Sequence, residues 1–358
     1  MMNKISKYEL FCLTVLLCGS IFPGIAFGNC IRLAKSTSLI SIFLGFIFGL
    51  FIVIFVSFLH NNIFGDSIFD FKTNKNIFIR IVGICILLIS IVILFLNSWT
   101  MINFFISQML TRNSYYVLAI VFFSIVFFLA NKKIPTIGRV SIILFILFSL
   151  FCLFSYFSLI PDLDFNNLLP IFNIPKSKFL EVMLYAFSFA SSPVFLLLVF
   201  SKDRVNPKVN YTKTIIWGYI VSIIFMLIYS FYVIGVYGVE LSNLATYPGY
   251  YLYKKIKVFN FIERVENILI STFINCYFIC FSVIVFNIKD FFMFRMKKYY
   301  SIVTYVISIF IPIISIYLFK KYYIYKLFDY YPYILFFSIL LIVLCGIFLF
   351  IEKKIIKK

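Results

Sequence analysis

Charge is what this sequence lacks most. Only 13% of its 358 residues are charged, 63% are hydrophobic, and the mean hydropathy is +1.07. A soluble domain is about 25% charged, so this chain cannot cover a water-facing surface, and a soluble enzyme is excluded. Disorder is excluded too, because it needs low hydrophobicity. Histidine is nearly absent: the single His60 lies at the end of an apolar run and reads as an interfacial residue, and a hydrolytic triad has no second histidine to use. There is no P-loop and no zinc motif, and no cofactor is implied. The eight cysteines all lie in or beside apolar runs. Cys276 and Cys280 share a helix face, but no histidine or carboxylate stands beside them to complete a metal site, so the thiols read as small hydrophobes. Acids are missing from the middles of the runs: Glu9, Glu181, Glu263 and Glu266 all lie near run ends. A carboxylate relay of the kind that drives a proton-coupled pump is not visible.

What is present is a series of long apolar runs. Ten are predicted to span a membrane, roughly 9–30, 37–59, 77–103, 114–131, 139–160, 178–200, 213–237, 264–288, 300–319 and 332–351. Each is near the ~20 residues that a transmembrane helix needs. They are apolar on all sides, whereas a lipid-spanning barrel needs short stretches of alternating polarity. An all-α polytopic membrane protein is expected, as one integral domain. The first run mimics a secretory signal, with Lys4 and Lys7 before it and Ala26 and Gly28 near a cleavage-like site, and it reads as an uncleaved first span because more runs follow. The net charge of +19 sits in short loops and fixes orientation; no basic domain exists to bind nucleic acid. With the N-terminus inside, the inner segments hold twenty of the 32 Lys and Arg, so both termini are expected in the cytoplasm. The 7–8 loop runs against this bias, placing Lys254, Lys255, Lys257 and Arg264 on the outer side. After Tyr247-Pro248-Gly249-Tyr250 that loop is predicted to form a short amphipathic helix on the outer face.

Two of the spans are interrupted. Span 1 carries Gly19-Ser20-Ile21-Phe22-Pro23-Gly24, and span 6 carries Ser188-Phe189-Ala190-Ser191-Ser192-Pro193. Proline in a helix removes one backbone hydrogen bond and clashes with the preceding turn. The freed polar groups cannot face lipid and must line protein or a cavity. Spans 1 and 6 are five apart and run in opposite directions, and matched broken helices in two inverted halves point to a transporter-type midplane site. The halves are expected at about 9–160 and about 178–319, with the tenth span at 332–351. Half-helix N-termini at such a site favour a carboxylate, such as that of an amino acid. Gly, Pro and Ser also serve as kinks and packing points in membrane helices, but two interruptions at corresponding positions favour a ligand cavity. Asn97 and Thr100 of span 3 and Asn275 of span 8 are candidates for the same cavity, or else for interhelical hydrogen bonds worth about 0.6 kcal/mol each. Candidate ligand-binding residues are therefore Gly19, Ser20, Pro23, Gly24, Asn97, Thr100, Ser188, Ser191, Ser192, Pro193 and Asn275. Glu263-Arg264-Val265-Glu266 opens span 8, either as an interfacial cap or as a latch joining the outer loop to the bundle.

In these features the chain resembles the B subunits of bacterial spore germinant receptors, within the amino acid–polyamine–organocation transporter superfamily. The match runs in order along almost the whole chain. It comprises the broken span 1, Ile137-Gly138-Arg139, Asp164 to Leu168-Leu169-Pro170-Ile171, Pro193, Tyr247-Pro248, and Phe261-Ile262-Glu263-Arg264-Val265-Glu266. It departs at Thr272-Phe273, where such proteins often carry tryptophan, and near Asn62 to Phe64, where a proline is usual. The resemblance implies a ten-helix LeuT-like 5+5 inverted-repeat fold. It also implies a receptor subunit in the spore inner membrane that senses a small nutrient, works with A-type and C-type subunits, and uses Tyr247, Pro248, Glu263, Arg264 and Glu266 in structure or coupling. A secondary amino acid transporter and a scaffold without ligand binding are the competing expectations.

Overall fold

In the computed structural model the described residues are 4–62, 67–71, 76–169, 174–256, 266–296, 298–322 and 327–356. Glu263 and Arg264, with their neighbours 261, 262 and 265, and residues 170 and 171, lie outside them. No strand occurs among the described residues; the only extended pairing there is an isolated parallel bridge between Ile5 and Val205. The helices are α1 (Lys7–Ile21), α2 (Phe27–Ala34), α3 (Ser38–Asn62), α4 (Ile77–Phe104), α5 (Tyr115–Ala130), α6 (Ile134–Ser158), α7 (Lys176–Phe195), α8 (Tyr211–Leu244), α9 (Pro248–Lys254), α10 (Glu266–Met293), α11 (Tyr300–Tyr322) and α12 (Leu327–Ile356). Among the described residues nine helical segments are long and apolar enough to cross a membrane, and a further apolar helix, α5, has 16 residues. The chain is a multi-pass membrane protein.

Burial separates the inner helices from the lipid-facing ones. The span formed by α7 is 83% buried, and those of α1 and α10 are 72% buried, against 28% for α6 and 33% for α11 and α12. Both termini lie at one end of the bundle, the terminal face: Ile5 pairs with Val205, and Asn76 donates to Glu352 near the C-terminus. The opposite end is called the far face below.

Small residues permit the closest approaches. Gly45 and Gly49 sit one turn apart on α3, the spacing that lets membrane helices touch backbone to backbone. A Cβ on Gly45 would lie 2.5 Å from the Met183 carbonyl and 2.8 Å from Ala186 Cβ on α7. Beside Gly49, Tyr219 of α8 donates to the Phe46 carbonyl at 3.1 Å. Gly138 explains its place in Ile137-Gly138-Arg139: a Cβ there would meet Glu9 Cβ at 2.9 Å. Glu9 caps α1 reciprocally with Ser6 and lies 3.7 Å from Arg139.

The terminal face is tied by polar contacts. Arg204 binds Asp290 through two bonds of 2.9 and 2.7 Å, and Asp290 is 2% exposed. Ser67 donates to the same carboxylate, and the Arg204 carbonyl accepts from the Ile5 amide at 2.8 Å. Lys289 donates to the Ala130 and Lys132 carbonyls at 3.0 and 3.5 Å, capping the end of α5. His60, in the last turn of α3, is buried among its neighbours; its ring stacks on Tyr211 and bonds the Phe200 carbonyl.

Candidate functional site

The first interruption is a true break. Between α1 and α2, Phe22–Ala26 form a single wide turn in which the Phe27 amide reaches back to the Phe22 carbonyl, and Gly24 has φ −81° and ψ −131°, outside the helical region. Pro23 supplies no amide there. The freed Pro23 carbonyl accepts from Tyr229 Oη of α8 at 3.1 Å. The second interruption is milder. Pro193 lies inside α7, and the chain past Phe195 tightens into a 3₁₀ turn over Leu196–Val199. No residue of α7 unwinds as Gly24 does.

A cavity of about 40 Å³ lies against the break. A water needs about 10–15 Å³, so there is room for three or four. Ser20, Pro23 and Gly24 form one wall, Thr100, Met101 and Phe104 of α4 another, and Tyr229, Ile270, Phe273, Ile274 and Tyr277 the rest. Tyr247, Gly249 and Tyr250 close it from the far face. No lining side chain is charged. Tyr277 Oη is buried without a hydrogen-bond partner among the described residues. It lies beside Gly24, where a Cβ would meet it at 3.0 Å and Thr100 Cγ2 at 3.3 Å. Any side chain at 24 would therefore crowd both the cavity and its free hydroxyl.

The roof is fastened by phenols. Tyr247 donates to the Thr100 carbonyl at 3.2 Å and accepts from Asn103 at 3.0 Å, and Tyr250 donates to the Gln108 carbonyl at 3.2 Å. A second void of about 10 Å³ touches Asn97, Thr100, Phe189 and Tyr331. It shares Thr100 with the cavity, and it shares Asn29 and Phe328 with an open far-face hollow of about 540 Å³ that also holds the Arg32–Asp329 pair, 3.6 Å apart.

Of the residues expected at a ligand site, Ser20, Pro23, Gly24 and Thr100 line the cavity. Gly19 lies deeper, near Ser222 Oγ and Cys276 Sγ. Asn97 faces the smaller void and donates to Tyr331 Oη at 2.9 Å. Ser188, Ser191, Ser192 and Pro193 are buried in α7 away from the cavity. Ser191 bonds the Phe187 carbonyl at 2.6 Å, while Ser188 and Ser192 have no hydrogen-bond partner among the described residues. Asn275 is half-buried on α10 outside the lining, which takes Ile274 and Tyr277 instead. Tyr247 was expected in coupling and also lines the cavity, Pro248 opens α9, and Glu266 opens α10. The aromatic walls Phe104, Tyr229, Tyr250, Phe273 and Tyr277 were not anticipated; among 50 Phe and 25 Tyr nothing in the sequence singles them out.

A helical membrane bundle with a cavity beside a broken first helix is the architecture of the LeuT-like fold. A nucleobase-cation-symport-1 family transporter, solved in a closed conformation with bromovinylhydantoin bound, is similar at a TM-score of 0.56 and 9% identity, over 95% of this chain and 75% of that one. No curated protein matches the chain. The family is settled by sequence: residues 4–324 match the family described as spore germination protein, and the chain belongs to it.

Proposed function

We propose that this chain is the membrane-embedded subunit of a spore nutrient receptor, and that it binds a small amino acid in the cavity beside Gly24, which widens from its present volume of about 40 Å³ to admit it. The observation that carries the reading is the uncharged cavity in which the Tyr277 hydroxyl, without a hydrogen-bond partner among the described residues, faces unwound backbone. The backbone unwound at Pro23 and Gly24 lines the cavity and presents polar groups to a carboxylate, and the aromatic walls suit a small apolar side chain. Occupancy would favour one arrangement of the bundle over another, and A-type and C-type subunits would read the change. In this reading the chain crosses the spore inner membrane ten times as two inverted halves, with both termini cytoplasmic, and has no catalytic role.

Transport is the second reading. The far-face hollow, the small void and the cavity share lining residues in series, as a solute path would. Trp99 adjoins Thr100, and Trp217 is the other tryptophan, so protein with Trp217→Phe in nanodiscs reports through Trp99 alone. Titration with single amino acids is expected to change this emission for one with a small apolar side chain, with Tyr277→Phe weakening binding about tenfold. Saturable uptake of that amino acid into proteoliposomes would favour transport, and no response to any amino acid would overturn the ligand reading.

A further inference from the structure

A second site lies on the far face, outside the cavity. α8 breaks at Gly238, the one glycine with positive φ (70°) among the described residues, and resumes as a short tail. Tyr237, Leu241, Leu244 and Ala245 of this segment face Pro248 and Tyr251 of α9 across an apolar groove of about 290 Å³. Leu244 is 82% exposed and Leu241 58%.

Depth indicates what covers them. From Tyr211 to Gly238 the helix is about 40 Å long at 1.5 Å per residue. The hydrocarbon core is about 30 Å thick, and the bilayer with headgroups about 40–45 Å. With Tyr211 at the terminal-face interface, the groove opens at the opposite headgroup layer.

Two ammonium groups stand over the rings around that groove. Lys255 Nζ lies 4.6 Å from the Tyr237 ring centre and makes one bond, to the Val236 carbonyl. Lys254 Nζ lies 4.3 Å from the Tyr250 ring and 5.1 Å from that of Tyr251. Both lysines are exposed, and neither forms an ion pair with a carboxylate among the described residues. These lysines belong to the loop that runs against the charge bias of the whole chain, where basic residues favour the terminal face.

We infer that this groove binds an anionic phospholipid. Its phosphate sits between Lys254 and Lys255, and its upper acyl chain covers Leu241, Leu244 and Tyr251. A phosphate attracts ammonium groups that lack a carboxylate partner, and tyrosines favour the same layer. Because α9 also supplies Gly249 and Tyr250 to the cavity roof, the lipid braces the roof from outside.

The test compares thermal unfolding and lipid retention of the full chain in phosphatidylcholine nanodiscs with and without phosphatidylglycerol. Phosphatidylglycerol is expected to raise Tm and to be retained in native mass spectra. The double variant Lys254→Gln, Lys255→Gln should lose at least half of the shift and of the retained lipid. The double variant Lys254→Arg, Lys255→Arg should keep both, as should Lys208→Gln on the terminal face. The inference is overturned if phosphatidylglycerol gives no shift, if the glutamine variant responds like the wild type, or if soluble glycerophosphate gives the same shift. A photo-crosslinker at position 244 that captures a protein rather than lipid in native membranes also overturns it.

Discussion

Gly249→Ala isolates the contact that closes the cavity. A Cβ at 249 would collide with the Tyr229 hydroxyl and lie 2.6 and 2.7 Å from its Cε2 and Cζ. The ring has little room to retreat: it packs edge-on against Phe27 at 5.2 Å and Phe273 at 5.6 Å, and its hydroxyl holds the Pro23 carbonyl. Overpacking of this kind costs about 1–3 kcal/mol, and losing the hydrogen bond adds about 0.5–1.5 kcal/mol. Alanine in place of glycine within α9 returns up to about 1 kcal/mol of helix propensity. The net is a destabilisation of about 1–3 kcal/mol, measurable by SDS unfolding of the purified protein. Tyr229→Leu removes all three colliding atoms, so on that background Gly249→Ala should cost less than about 0.5 kcal/mol. Equal costs on both backgrounds, additive to within about 0.5 kcal/mol, would refute the proposed contact between the roof and the broken helix.

Arg204→Ala should lower stability by about 3–5 kcal/mol, since it strands the buried Asp290 carboxylate; Asp290→Ala should cost less, because the Arg204 guanidinium, 24% exposed, can turn to water, and Arg204→Met with Asp290→Leu should cost least; SDS unfolding of the three variants decides. Ser188→Ala and Ser192→Ala remove hydroxyls with no hydrogen-bond partner among the described residues, so Tm should hold or rise, and a fall of about 3 °C or more would show that these hydroxyls are satisfied in the native protein. Pro193→Leu restores an amide to α7 and straightens its end, and spores carrying it should need a higher nutrient dose to germinate; an unchanged dose response counts against a role for the bend.

The helices were legible because each run is apolar all round and bounded by lysine-bearing loops, which leaves little choice of structure in lipid. The break in α1 was legible because Pro23-Gly24 combines a missing amide with a missing Cβ. The bend in α7 was harder to place, since a proline marks where a hydrogen bond is lost but not whether the helix unwinds or tightens there. The cavity walls were not legible. A uniformly apolar helix carries no phase, so Asn275 and Tyr277, two residues apart on α10, could not be ordered by which faces inward. Polarity pointed to the asparagine, and the cavity takes the phenol. The roof was half visible: Tyr247-Pro248-Gly249-Tyr250 stood out as a turn, but its closure over Gly24 depends on contacts far apart in the chain.

The short helix α5 has a consequence for the membrane around the protein. Its 16 residues cover only about 24 Å, while its neighbours are long enough to cross fully. With Lys289 holding its last carbonyls, an ammonium and the polar chain end are drawn inward on that flank. A short span is met by thinner lipid, by snorkelling of its flanking residues or by association with another protein, at a fraction of a kcal/mol per Å of mismatch. Of the spans described, α5 is where the surrounding bilayer has most to adjust. The stability of the bundle is then expected to depend on bilayer thickness, which Tm in nanodiscs of graded acyl length would read.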